Sequence, residues 1–87
     1  MFSNPNLYHQ QSRLAFAMGI FEALYYYDDS YDNIELFEMF TDTIYNILPS
    51  KDFESILIKM CDEVKDGDDT LKKYEELVDI LKEKGLV

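Results

Sequence analysis

The amino-acid sequence predicts an all-α fold: a compact four-helix bundle forming a single domain over residues 1–87. Apolar residues recur at three- and four-residue intervals in four segments, which places them along one side of a helix. No segment alternates polar and apolar residues for the length a half-buried strand needs. Between the segments stand Asp28-Asp29-Ser30, Pro49-Ser50 and Asp66-Gly67-Asp68-Asp69, residue types that favour turns and helix ends.

The first helix is expected over about 5–27. Asn4 is suited to accept a bond from an orphan backbone N–H, and Pro5 brings a φ already set for the first helical position. Leu7, Leu14, Met18, Phe21 and Tyr25 form one stripe, and Phe16, Ile20, Ala23 and Tyr27 form a second. Apolar surface on both sides predicts a central helix, contacted by several others or by a second copy of the chain.

The second helix is expected over about 32–48, because Asp32 and Glu35 have the spacing of a capping box. Its inward residues are Ile34, Phe37, Phe40, Ile44 and Ile47, with Leu36, Met39, Tyr45 and Leu48 widening the stripe. Pro49 ends it, since the residue before a proline is disfavoured in helical conformation, and Ser50 is a good N-cap for the third helix, about 51–65. That helix buries Phe53, Ile56, Leu57, Met60, Cys61 and Val64. Gly67 suits the left-handed turn that closes a helix, and Asp69 or Thr70 caps a fourth over about 70–84, with the stripe Leu71, Tyr74, Leu77, Val78, Leu81. Short connections favour an up-down bundle, while the wide apolar surface of the first helix also suits an irregular orthogonal packing. The expected core is Leu14, Met18, Phe21, Phe37, Phe40, Ile44, Ile56, Leu57, Met60, Leu77 and Leu81.

Composition narrows the function classes. With 87 residues the chain supports one core but not a core plus a walled cavity for a large cofactor, so no cofactor is expected. Its 47% apolar content sets it apart from disordered chains despite a net charge of −10. The single Cys61 has no internal disulfide partner, and the N-terminal residues lack the basic start and apolar run of a signal peptide, which together fit a cytoplasmic setting. The longest apolar stretch, Leu14 to Tyr27, totals 14 residues, short of the ~20 a membrane span requires, so no membrane partner is expected.

Catalytic and metal chemistry find little support. The only histidine, His9, stands close to the start of the sequence, and Cys61 sits on the apolar side of its helix, so neither builds the nucleophile–base pair of covalent catalysis; the protein is not expected to be an enzyme. The Asp62, Glu63, Asp66, Asp68, Asp69 cluster fails as a calcium loop. Counted from Asp62, Gly67 falls at the sixth position, but Val64 occupies the third and Lys73 the twelfth, where a bidentate Glu belongs. A capped turn accounts for those residues, and no metal site is expected.

The most informative feature is charge. Between Arg13 and Lys51 there is no cationic side chain, yet that stretch carries seven carboxylates and five tyrosines. Residues 1–21 hold Arg13 and no carboxylate, so all 18 acids lie from Glu22 onward. A nucleic-acid binder shows the opposite, a basic stripe, so direct contact with DNA or RNA is not expected. The expected partner is instead a basic protein surface, which can itself be a nucleic-acid-binding site, because carboxylates spaced along a rigid helix take the places of phosphates and steer association. Tyr26, Asp28, Asp29, Tyr31, Asp32, Glu35, Glu38 and Asp42 are the candidate contact residues. Three consecutive tyrosines, Tyr25 to Tyr27, point about 100° apart and cannot share one core, and an exposed tyrosine is a favoured binding anchor.

In size, acidity and helical content the chain is similar to small inhibitor and immunity proteins of bacteria and their phages. That resemblance rests on composition and covers no motif. It implies a phage- or mobile-element-encoded binding protein that inhibits a basic target. The alternative from the residues themselves is a homodimeric structural or regulatory adaptor pairing through the apolar surface of the first helix.

Overall fold

Several helix ends carry residues that satisfy orphan backbone groups. In the computed structural model, which describes the backbone of residues 5–87 and side chains from His9 onward, α1 spans Pro5–Tyr27, α2 Asn33–Ile47, α3 Lys51–Lys65 and α4 Thr70–Glu83. Every boundary lies within one residue of its expected place. The Asn4 cap and the side chain of Leu7 lie outside the described residues.

At the start of α2, Asp32 accepts the Glu35 N–H at 2.8 Å. Asp69 does the same for Lys72 at the start of α4, at 3.0 Å, so Asp69 rather than Thr70 is the cap. Ser50 occupies the N-cap position of α3 in extended conformation, but its side chain makes no capping bond. α3 and α4 end alike. Gly67, at φ 109°, lets Asp68 N–H reach the Glu63 carbonyl while its own N–H reaches Val64. Gly85, at φ 73°, does this for Leu86 and Leu81, with its own N–H on Lys82. A side chain is strained at either φ, which is why glycine closes both helices.

Matched residues show the direction of each pair. Phe21 meets Phe40 between α1 and α2, Cys61 meets Thr41 between α2 and α3, Lys73 pairs with Glu63 between α3 and α4, and Phe21 stacks on Tyr74 of α4. Across each pair one chain number rises as the other falls, as Gln11 near Gly85 and Phe21 near Tyr74 show for α1 and α4. The order is therefore up-down-up-down.

The central helix is α2, not α1: α2 packs against α1, α3 and α4, while α1 has backbone-level contact with α2 alone and reaches α4 only through long side chains. The reason is angular. Leu14 and Phe21 of the first α1 stripe are buried, with Ala17 beside them, and Met18 and Tyr25 are partly buried, whereas Phe16, Ile20 and Tyr27 of the second stripe stay 71%, 43% and 89% exposed.

The core joins Leu14 and Phe21 to Leu36, Phe37, Phe40 and Ile44 of α2, Phe53, Leu57, Met60 and Val64 of α3, and Tyr74, Leu77, Val78 and Leu81 of α4. Nine of the eleven expected core residues are buried; Met18 and Ile56 are half-buried at the margin. Ile34, expected inward, is exposed. It stands in the first turn of α2, level with the end of α3, where Lys65 pairs with Glu38 one turn further along. Cys61 is partly buried rather than fully in the core. Among the described residues no buried side-chain polar atom lacks a hydrogen-bond partner, and no helix is long and apolar enough to cross a membrane.

Candidate functional site

The eight candidate contact residues fall into a group of five at the α1–α2 turn, a pair in a groove between α2 and α3, and Tyr26 by itself on α1. At the α1–α2 turn, Asp28 accepts the Ser30 N–H at 2.8 Å, and hydrogen bonding from Ser30, its side chain first and its backbone second, holds the carboxyl below the usual range. Asp32 is lowered by the Glu35 N–H, while hydrogen bonding with Asp32 and then its charge raise Glu35. Asp29 and Tyr31 are exposed beside them. Asp28 and Asp32 shape the turn and are held in the charged form, so the corner is both a structural cap and an anionic surface.

Tyr26 lies elsewhere. Its ring sits edge-on to Tyr25 at 5.0 Å, and the residue is 58% exposed. Tyr25 stacks on Phe21 at 5.8 Å, so the run of three tyrosines turns from half-buried to fully outward within one helical turn.

Glu38 and Asp42 are the pair in the α2–α3 groove, which holds about 270 Å³. Here α3 supplies partners that the sequence reading did not single out: Glu54, Ile58 and Asp62, with Tyr45 from α2. Leu57, Ile58 and Cys61 supply the apolar part of the lining, and Glu38, Asp42, Glu54 and Asp62 supply four carboxylates. Lys65 is the sole cation in the lining; its ammonium lies 3.5 Å from Glu38, with both groups about half exposed. Such a solvated pair holds weakly.

Local order supports the groove. The Thr41 hydroxyl donates to the Glu38 carbonyl at 3.0 Å and lies 3.1 Å from the Cys61 sulfur. Burial pushes the Cys61 thiol up, so it stays protonated and chemically quiet. Glu54, by its charge and hydrogen bonding, raises the Tyr45 phenol, and both residues line the groove. The signal that α3 contributes was present in the sequence. An α2–α3 hairpin turning at Pro49 sets Tyr45 across from Glu54 and brings Asp42 close to Leu57 and Ile58, so a row at Glu54, Ile58 and Asp62 faces a row at Glu38, Asp42 and Tyr45.

Of the lysines outside the groove, Lys73 is engaged internally. Lys73 reaches Glu63, Asp68 and Glu76 at 3.2, 3.5 and 3.1 Å, and its side chain is only 14% exposed. Among the described residues no three His, Cys, Asp or Glu side chains converge as a metal site requires. The chain matches no family model, no curated protein and no solved structure, so the reading of its site rests on geometry and charge alone.

Proposed function

We propose that the protein is a small, non-enzymatic binding protein that captures and blocks a basic protein surface, including the kind of surface that binds nucleic acid. The observation that carries this reading is the α2–α3 groove, where four carboxylates surround Leu57 and Ile58 with Lys65 as the lone cation. A partner arginine or lysine lays its aliphatic stem on Ile58, which is 56% exposed, and places its head among Glu38, Asp42, Glu54 and Asp62. Displacing Lys65 from Glu38 costs little because that pair is solvated. Asp28, Asp29, Asp32 and Glu35 extend the negative field toward the α1–α2 corner and raise the encounter rate. A basic cleft so occupied is closed to phosphates.

The test uses an arginine-rich helical peptide as probe, alongside capture from a native lysate at low and high salt. Glu38→Gln, Asp42→Asn, Glu54→Gln and Asp62→Asn together remove the groove's charge while leaving its shape. The expected result is peptide affinity that falls at least ~10-fold between low and physiological salt, and falls again in the quadruple variant. Affinity unchanged by the four substitutions overturns the reading.

A further inference from the structure

The outward flank of α1 carries no carboxylate, so two copies of this anionic chain can meet there without direct like-charge contact. Its outward line runs Ser12, Phe16, Ile20, Ala23, Tyr27, with Phe16 the most exposed large aliphatic or phenylalanine side chain of the described residues. The adjoining hollow between α1 and α2, about 420 Å³, is lined by Ser12, Arg13, Phe16, Ala17, Ile20, Thr43, Asn46 and Ile47, without an acidic residue. Arg13 borders it, exposed and in no ion pair among the described residues.

Gly19 adds an independent observation. A glycine inside a helix destabilises it by roughly 0.5–1 kcal/mol relative to alanine. No internal neighbour demands one here, since a Cβ on Gly19 would meet nothing within 4 Å. Open space beside a mid-helix glycine, flanked by Phe16 and Ile20, suits the close approach of another helix from outside.

The geometry points to self-association: two copies pair their α1 helices antiparallel, centred between Gly19 and Ile20, with Phe16 of each seated over Ala23 of the other. Charge selects both the occupant and the direction. An antiparallel pair brings Arg13 of each copy level with Tyr26 of the other, beside Tyr27 and the Asp28-Asp29 end, joining the only cation before Lys51 to an anionic, aromatic terminus. A parallel pair would set Arg13 against Arg13 and Asp28 against Asp28. Large residues also meet small ones, as close helix packing prefers. This surface is separate from the α2–α3 groove, so loss of one activity leaves the other intact.

Sedimentation equilibrium at about 0.1 mM, where a dissociation constant near ~10 μM leaves most chains paired, reads the association directly. The wild-type chain is expected at twice its own mass and Phe16→Glu at the single-chain mass with unchanged helical circular dichroism. Because Phe16 is 71% exposed, that substitution does not act through the core. Direction is read by oxidation in a Cys61→Ser background. Ile20→Cys is expected to cross-link between copies, and Ser12→Cys is not, because antiparallel helices set the two Ser12 positions ~22 Å apart along the axis. A monomeric wild-type chain at this concentration, or efficient Ser12→Cys cross-linking, overturns the proposal.

Discussion

Tyr74 shows how one side chain ties together elements distant in sequence. Its ring stacks on Phe21 at 4.1 Å and meets Phe40 edge-on at 5.1 Å, so α1, α2 and α4 share one aromatic contact. Its hydroxyl donates to Glu22 at 2.5 Å, with the Met18 carbonyl a longer partner at 3.4 Å. This bond explains why Glu22, the first carboxylate in the chain, stands on a helix otherwise free of acids. Burial, then the Glu22 bond and charge, push the phenol well above the usual tyrosine range. The folded chain thus keeps this proton where the unfolded chain loses it. The resulting stability is fully present below about pH 10 and is lost as pH rises through the folded value. Tyr74→Phe is expected to cost about 1 kcal/mol at neutral pH by denaturant titration and to flatten the decline in stability above about pH 10. An equal alkaline decline in both proteins would show that the Glu22 bond does not hold the proton.

The helix ends divide the work at the scale of elements. α2 and α4 begin on aspartate caps, whereas Ser50 makes no side-chain bond and α3 relies on Asp52 and Glu54 in its first turn and Lys65 in its last. The α3–α4 turn depends on Gly67, and Lys73 braces it from α4 by bonding Glu63 before the turn and Asp68 within it. Gly67→Ala forces a side chain into the left-handed region and is expected to destabilise by about 1 kcal/mol in thermal unfolding. Gly19→Ala, at ordinary helical φ with open space around it, is expected to stabilise the dilute chain by a similar amount. The opposite signs of two glycine substitutions separate a conformational need from an external one.

Charge governs the molecule as a whole. A net charge of −10 on 87 residues raises the energy of the folded state by self-repulsion, and the lysines relieve it mainly around α3 and α4. Added salt shortens the reach of that repulsion from ~10 Å at 0.1 M to ~3 Å at 1 M. The melting temperature is therefore expected to rise over this range while affinity for a basic peptide falls. A melting temperature that drops with salt would mean that internal ion pairs outweigh the repulsion. The same field accounts for the placement of the proposed surfaces, because contact with a cationic partner is favoured at the α2–α3 groove and contact with a second copy along α1.

Local physics made the helix count, the ends and most of the core legible in the sequence. Capping aspartates, Pro49, Gly67 and the spacing of Phe37, Phe40 and Ile44 act within a few residues, so reading them needs no knowledge of the distant chain. What a helix position cannot show is which neighbour fills the angle it faces. Packing alone made α2 the central helix and left Phe16, Ile20 and Ile34 exposed. It also left Tyr26 outside the groove while uniting Glu38 and Asp42 with Glu54 and Asp62 across two helices. Sequence periodicity specifies direction around one axis, and only the long-range contacts between axes decide which directions meet.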